Sequence, residues 1–208
     1  MNQGLLGRLV SVEARWITTS VARRNPRHFL FDRHSSGGGM LHWLGSHWID
    51  FMRWSTSSEI VQVAAVMDTL SGEAIDVEDT AAVSLRFDNG MIGSLHVTYT
   101  TDKATDQLFF GLRGTLGWLN WERSGPEIEV RSTHPAWVPG QTRVLRFTSD
   151  QVDGYGGIVG ITALNRFIAA IREGAAPVFT PDDSLRVLEV LDAAQESSRA
   201  GHHVRIGR

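Results

Sequence analysis

The stretch VEDTAAVSLRFDNGMIGSLHVTY, residues 77–99, contains two runs in which apolar and polar residues alternate. Val83, Leu85 and Phe87 alternate with small or charged neighbours, a pattern typical of a strand with one buried face. The Asp88-Asn89-Gly90 step separates the two runs, and Asn and Gly tolerate the positive φ angles of tight hairpin turns. The stretch therefore predicts a β-hairpin with one apolar face.

Further short runs on both sides of this hairpin are rich in valine, threonine and aromatic residues, as strands are. They are GRLVSVEARWIT (7–18), EIVQVAAVMD (59–68), QLFFGLRG (107–114), EIEVRS (127–132) and TRVLRF (142–147). A final VRI at 204–206 predicts an edge strand. The Arg113-Gly114 and Arg123-Ser124-Gly125 steps predict further turns, so the middle of the chain is expected to form an antiparallel sheet.

Helical periodicity occurs in three other segments. Apolar residues recur from Gly39 to Trp54, which predicts a buried helix after a loop at 23–39. The other two segments cover 158–172 and 182–199. Thr180 is the predicted N-cap of the last helix, and Gly201 follows its end.

Strands in the middle of the chain, with helices before and after them, predict an α+β fold. We expect a largely antiparallel open sheet with helices packed on one face. No repeat or low-complexity linker divides the sequence, so residues 1–208 are predicted to form a single domain.

Composition excludes several classes of protein. The 208 residues are 42% hydrophobic and 21% charged, enough to bury a core, and the net charge of −3 does not favour nucleic acid or an acidic membrane surface as a partner. Cysteine is absent, which excludes disulfides and cysteine-based zinc sites. No apolar run approaches the length of a membrane span and no signal peptide is evident, so a cytoplasmic location is expected.

The most specific signal is SGGGMLHWLGSHWID, residues 36–50, which resembles the GGGxLxDxGxHxxD signature of the Gfo/Idh/MocA oxidoreductases (glucose-fructose oxidoreductase, inositol dehydrogenase and relatives). Residues 77–99, 111–119 and 181–206 resemble later segments of the same family, in the same order. The resemblance implies the fold of the family's C-terminal domain, which is similar to that of glyceraldehyde-3-phosphate dehydrogenase-like enzymes.

The resemblance also implies site residues. In the family the histidine of the signature lies beside the substrate carbon that exchanges hydride, which implies that His47 is the catalytic proton donor or acceptor, a role that suits the pKa of imidazole. Helical spacing places Trp43, His47 and Asp50 on one face, where Asp50 is expected to orient the imidazole. Arg33 and His34, in the preceding loop, are candidate substrate-binding residues. Without the signature, His47 would be expected to be a structural histidine.

Trp43 departs from the signature, which usually has aspartate at this position. The indole is a candidate to stack on a sugar ring or to fill a pocket, and on pattern alone Trp43 and Trp48 fit core packing better. Tyr155, in the loop before the second predicted helix, is a further substrate-binding candidate, since the family's loop faces the substrate cleft.

Family members carry an N-terminal Rossmann domain with a GxGxxG/A loop, and a catalytic lysine from a Glu-Lys-Pro motif. The GYGGIVG stretch at 154–160 has GxGxxxG spacing and no strand directly before it, and the one lysine, Lys103, lies between predicted strands. We therefore expect that this chain alone binds no cofactor, and NAD or NADP is implied for a complete enzyme. The histidines show no metal-ligand spacing, so no metal is expected.

The sequence thus predicts the substrate-binding and dimerisation half of an NAD(P)-dependent oxidoreductase that acts on a sugar, polyol or related hydroxyl compound, and that is inactive in hydride transfer on its own. The alternative is a free-standing, non-enzymatic domain that binds a small ligand or a partner subunit. The expected partners are a small-molecule substrate, further copies of the chain packed on the outer face of the sheet, and a Rossmann-domain polypeptide, with no nucleic acid and no membrane.

Overall fold

The computed structural model describes residues 4–19, 24–102, 106–122, 127–137, 141–147, 153–154 and 156–207. Within them, nine strands form one sheet. The strands are β1 (Leu9–Ile17), β2 (Ile60–Asp68), β3 (Thr80–Phe87), β4 (Ile92–Thr98), β5 (Gln107–Gly114), β6 (Gly117–Glu122), β7 (Glu127–Ser132), β8 (Thr142–Arg146) and β9 (Val204–Arg205). The helices are α1 (Arg33–Ser36), α2 (Ser46–Thr56), α3 (Gly157–Glu173) and α4 (Pro181–Ala200).

The order across the sheet is β8-β7-β6-β5-β1-β4-β3-β2-β9. Strands β1 and β4 are parallel, and every other neighbouring pair is antiparallel. The predicted α+β fold with a largely antiparallel sheet is therefore confirmed. The N-terminal strand β1 lies near the centre, where it joins the hairpin of β3 and β4 to the meander from β5 to β8.

The hairpin predicted from residues 77–99 is confirmed. The N–H of Phe87 donates to the carbonyl of Met91 (2.9 Å), and Gly90 donates to the carbonyl of Phe87 (3.0 Å). Gly90 has a φ of 84°, the left-handed conformation that this turn requires. Val83 and Leu85 are buried beneath the helices, as their alternation predicts.

Helices α2 and α4 pack on the apolar face of the sheet, as predicted. Thr180 caps α4, because its hydroxyl accepts from the N–H of Asp183 while the Asp183 carboxylate accepts from the N–H of Thr180. The predicted edge strand is β9, which pairs with only the first part of β2. Beyond it, the Ser197 and Ser198 hydroxyls of α4 accept from N–H groups of β2, so the free edge is covered.

Several local predictions need correction. The segment expected to be a loop at 23–39 contains a 3-10 turn at Phe29–Phe31 and the short helix α1. Strand β6 was not predicted. The turn predicted at Arg113-Gly114 lies at residues 115 and 116, between β5 and β6. The turn predicted at residues 123–125 lies outside the described residues.

The helix predicted from Gly39 also differs from the expectation. It begins at Met40 and passes through a π-helical turn at Leu41–Gly45 before α2. It is not buried all round, since Phe51 and Trp54 are 37% and 72% exposed. Its outward aromatic residues line the site described below.

Helix α3, predicted at 158–172, has no buried residue, although it is rich in apolar side chains. It ends at Gly174, whose φ is 64°. Half of the large exposed hydrophobic residues of the described chain lie between Ile158 and Leu188. No helix among the described residues is long and apolar enough to cross a membrane.

Candidate functional site

The aromatic cleft is a cavity of about 450 Å³ between α2 and the half of the sheet formed by β1 and β5–β7. Its lining side chains are mostly aromatic or aliphatic, and His47 and Ser55 are the polar residues among them. The lining consists of Trp16, His47, Trp48, Phe51, Trp54, Ser55, Phe110, Leu112, Leu119, Trp121, Ile128 and Phe147. A cavity of this size and character is typical of a small-molecule site.

The rings of the aromatic cleft support one another. Trp48 stacks on Phe110 with ring centroids 5.8 Å apart, and Trp16 meets Trp48 edge-on at 6.4 Å. Phe51 packs on Phe110 at 4.6 Å and on Trp54 at 5.6 Å. These contacts fix the aromatic faces before any ligand arrives, which lowers the entropy cost of binding.

Two indole N–H groups in this lining are buried. The Nε1 atoms of Trp48 and Trp121 find no hydrogen-bond partner among the described residues. A buried donor without an acceptor costs on the order of 1–3 kcal/mol. Because these nitrogens are buried, a ligand in the cleft would meet the carbon faces of the two indoles.

His47 lies near the start of α2, where it is exposed at the aromatic cleft. Asp50 is one helical turn further along, and its carboxylate Oδ1 lies 3.4 Å from Nη1 of Arg53. Burial raises the pKa of Asp50 above its ordinary value, while the charges of Arg53 and His47 act in the opposite direction. Among the described contacts no hydrogen bond joins Asp50 to His47, so an orienting role for Asp50 stays a prediction.

Arg53 connects the site helix to α4. Its guanidinium is buried, and donates to both carboxylate oxygens of Glu59 at 2.8 and 2.9 Å. Its Nη2 lies 3.7 Å from the Asp183 carboxylate at the start of α4. Arg53 therefore holds the starting end of α4 against α2.

Trp43 lies in different surroundings from His47. Its ring meets Tyr99 at 6.1 Å, and the guanidinium of Arg24 lies 5.0 Å from its centroid. Trp43 is not among the described residues that line the aromatic cleft. The prediction that Trp43 and His47 share a helix face assumed regular α-helical spacing. The π turn between them changes the rotation per residue, so the two side chains point in different directions.

Arg33 and His34 lie on α1, where both are exposed. Arg33 is engaged with the loop before β3, because its N–H donates to Asp76 Oδ1 at 2.7 Å and its Nε donates to the Asp76 carbonyl at 3.1 Å. Neither residue lines the aromatic cleft as described. Tyr155 lies outside the described residues.

With this geometry in place, comparison with known proteins identifies the family. The profile described as GFO/IDH/MocA C-terminal domain matches residues 1–120. The chain belongs to the GFO/IDH/MocA family. The resemblance carried by residues 36–50 and 77–99 is therefore confirmed.

Relatives within the GFO/IDH/MocA family include levoglucosan dehydrogenase of Pseudarthrobacter phenanthrenivorans, 26% identical over 181 residues, or 75% of this chain and 42% of that protein. An uncharacterized oxidoreductase of Synechocystis is 27% identical over 47% of this chain and 29% of its own length. The chain thus spans less than half of these curated relatives.

Solved structures of the family have the same fold. Levoglucosan dehydrogenase in complex with NADH and L-sorbose superposes with a TM-score of 0.88 at 23% identity, covering 100% of this chain and 61% of that one. GenD2 from gentamicin A biosynthesis, in complex with NAD, has a TM-score of 0.76 at 28% identity, over 100% of this chain and 58% of its own.

The residues that the structure describes do not fit a dinucleotide. Such a site needs a glycine turn between a buried parallel strand and a helix. Here Gly156 caps α3 and Gly157 is its first residue, while the last strand described before them, β8, ends at Arg146 and is exposed. We therefore assign no chemical step to a dinucleotide held by these residues. The described part of the chain also brings no three metal-ligating side chains together.

Sequence reasoning missed most of the aromatic cleft. Trp16, Phe110 and Trp121 come from β1, β5 and β6, and only the sheet brings them beneath α2. The alternation of apolar residues along each strand could have identified two of them. Trp16 falls on the same strand face as the core residue Val12, and Phe110 falls on the same face as Leu112.

Proposed function

We propose that this chain is the substrate-binding and dimerisation half of an NAD(P)-dependent oxidoreductase that acts on a sugar, polyol or related hydroxyl compound in the cytoplasm. The single observation that carries the proposal is the aromatic cleft, with the rings of Trp48 and Trp121 and an exposed His47 among its lining residues. Hydride exchange is assigned to a nucleotide-binding half outside the described residues. The substrate-binding half is therefore proposed to be inactive on its own.

The cleft suits a sugar for chemical reasons. The C–H faces of a sugar ring are apolar and pack on aromatic rings such as Phe51 and Trp54. Levoglucosan dehydrogenase, a family relative, has been solved with NADH and levoglucosan and with NADH and L-sorbose. These ligands are the closest chemical guide to the proposed substrate.

His47 is proposed to exchange a proton with the substrate hydroxyl. Imidazole is the side chain most often used to exchange protons with substrate hydroxyls, and His47 is exposed at the cleft. Asp50, one turn away, is proposed to stabilise the charged form of the ring. Trp43, Arg33, His34 and Tyr155 stay predictions as substrate contacts.

The surface of α3 supports a nucleotide-binding half as partner. Val159, Leu164, Phe167 and Ile171 of α3 are each more than half exposed, in a stretch with few charges. Apolar patches of this kind mark binding surfaces. Because Arg53 holds the start of α4 against α2, we propose that a partner covering α3 and the start of α4 lies next to the site helix.

The outer face of the sheet supports further copies of the chain as partners. Val66 and Ile92 are 76% and 53% exposed there, and Glu13 and Arg15 place opposite charges two residues apart on β1. A two-fold axis across this face would bring Glu13 of one copy near Arg15 of the other. The sheet face is therefore the proposed homo-oligomer interface.

One observation favours the alternative of a non-enzymatic ligand-binding domain. Trp43 replaces the aspartate usual in the signature, and its ring packs on Tyr99 and Arg24. It supplies no carboxylate for a proton relay. This alternative predicts ligand binding without turnover even when a nucleotide-binding half is present.

Isothermal titration of the purified chain with levoglucosan, L-sorbose and a panel of polyols, and separately with NAD(H) and NADP(H), tests the proposal. We expect sugar binding that His47→Ala weakens, with His203→Ala, at an exposed position near the C-terminal end, as the matched control. Tight dinucleotide binding would contradict the assignment of hydride exchange to another half. The absence of any sugar binding would contradict the substrate role.

A further inference from the structure

A buried carboxylate holds the start of the helix that carries His47. Glu78 is only 4% exposed and immediately precedes the Asp79-Thr80 step into β3. Its backbone carbonyl accepts from the N–H of Met40 at 2.9 Å, and its Oε1 accepts from the N–H of Leu41 at 3.2 Å. These N–H groups belong to the first helical turn, which has no partners within the helix. Glu78 thus caps the site helix from a distant part of the chain.

His42 faces this carboxylate. Its Nδ1 lies 3.9 Å from Glu78 Oε1, which is too long for a hydrogen bond but close enough for electrostatic attraction. The amide nitrogen of Gln195, on α4, lies 3.2 Å from the Gly37 carbonyl and 3.3 Å from His42 Nε2. Since the amide donates to both, Nε2 acts as acceptor and the proton of a neutral ring is on Nδ1, directed towards Glu78.

The glycines of the signature make room for these two side chains. A Cβ on Gly38 would overlap the His42 ring, and a Cβ on Gly39 would overlap the carbonyl of Glu78. The segment at 37–39 is therefore packed against the pair. This packing fixes where the helix begins.

The negative charge of Glu78 suits its position at the N-terminal end of the site helix. Burial acts to raise the pKa of Glu78, but the His42 side chain and the backbone of Gly39 outweigh it, so the pKa lies below its ordinary value. The carboxylate is then ionised at the positive end of the helix dipole. Its Oε2 and the His42 Nδ1 are buried without hydrogen-bond partners among the described residues, so the His42 ring meets the carboxylate through the 3.9 Å approach of Nδ1 to Oε1.

We propose that Glu78 and His42 form a positioning pair that sets the direction of His47. The π turn at Leu41–Gly45 contains His42 and leads directly into α2, and a shift of one residue in this turn would rotate every later side chain by about 100°. By holding the helix at Met40, Leu41 and His42, the pair selects one phase for α2. His47 then lies at the aromatic cleft rather than on another face. The functional meaning of this inference rests on the proposed role of His47.

The test compares Glu78→Gln, His42→Leu and the double variant in the full chain. The imidazole resonances of His47 are followed by NMR, together with levoglucosan affinity by titration. We expect both single variants to move the His47 resonances and to weaken levoglucosan binding roughly fivefold, the equivalent of a coupling of about 1 kcal/mol. The double variant should change neither further, because either single change breaks the pair.

Two further variants keep the test decisive if Glu78→Gln does not fold. Gln195→Ala removes the amide that holds His42 from a partly exposed position, and should move the same resonances by a smaller amount. Glu196→Ala, an exposed neighbour on α4, should leave them unchanged.

A folded variant that loses stability with unmoved His47 resonances would overturn the inference, since the pair would then only stabilise the fold. The resonances report where His47 lies even if the wild-type chain binds no levoglucosan. Failure of the proposed function is therefore distinguishable from failure of the positioning pair.

Discussion

The indole of Trp48 lies parallel to the ring of Phe110, with a centroid separation of 5.8 Å and an interplanar angle of 5°. Trp48 belongs to α2 and Phe110 to β5, so this stack joins the site helix to the sheet. Trp48 is only 6% exposed and contributes to the core as well as to the aromatic cleft. The core and the proposed ligand surface therefore share the same side chain.

The indole ring of Trp121 is expected to pack on a bound sugar, because it lines the aromatic cleft. Trp121→Leu removes the aromatic ring and keeps an apolar side chain. We predict that sugar affinity falls about fivefold, since an aromatic contact contributes about 1 kcal/mol. Trp118→Leu is the matched control, because Trp118 pairs with Arg131 on the opposite face of β6. Equal losses in both variants would contradict a specific ring contact.

Arg53 is expected to contribute to stability through its carboxylate partners. Arg53→Ala should lower the free energy of unfolding by about 2 kcal/mol, which is less than for a fully buried pair because Asp50, Glu59 and Asp183 are each more than a third exposed. Urea unfolding measures the change. Arg186→Ala removes a partly exposed pair with Glu189, three residues apart on α4, and should cost less than about 0.5 kcal/mol. Similar costs for both would mean that the Arg53 cluster contributes no more than a surface pair.

Gly39 is expected to accept no side chain. Gly39→Ala would drive a methyl group into the carbonyl of Glu78 and should cost about 1–3 kcal/mol, measured by thermal or urea unfolding. Gly207→Ala is the control, because a Cβ there meets no atom within 4 Å. A Gly39→Ala chain as stable as wild type would show that the segment at 37–39 is free to shift.

The pH dependence of stability should include a contribution from Glu78. Its pKa in the folded chain lies below the ordinary value of 4.5, so its stabilising effect is present above that value and is lost as the pH falls through the folded pKa. We predict that wild-type stability falls as the pH drops below 4.5, and that Glu78→Gln shows a shallower fall. Urea unfolding across this range measures it, with Glu73→Gln, at an exposed position, as control. Parallel curves for Glu78→Gln and wild type would contradict the prediction.

Local signals in the sequence were sufficient for much of the fold. The Asn89-Gly90 turn and the Thr180 cap each depend on residues within a few positions of one another, and both predictions are confirmed. The α+β sheet is confirmed as well. These features follow from turn chemistry, capping and periodicity, which act over short distances along the chain. The family assignment is also confirmed, but it came from the resemblance of residues 36–50 to the family signature.

The candidate site was harder to predict from the sequence because it depends on the pairing of strands that are far apart along the chain. Trp16 and Phe110 meet only because β1 pairs with β5, and no local pattern specifies that register. The π turn is another reason, since it alters the helix phase between Trp43 and His47 without a sequence signal of its own. The exposure of α3 was also not foreseen, because its apolar periodicity is the same as that of a packed helix.

The central claim is that the aromatic cleft binds a sugar ring, and the most direct measurement follows the indole N–H signals of the tryptophans by NMR during a levoglucosan titration. The account predicts that the signals of Trp48 and Trp121 shift in a saturable way while that of Trp118, on the opposite face of the sheet, does not. Unmoved signals for Trp48 and Trp121, or an equal shift at Trp118, would contradict it.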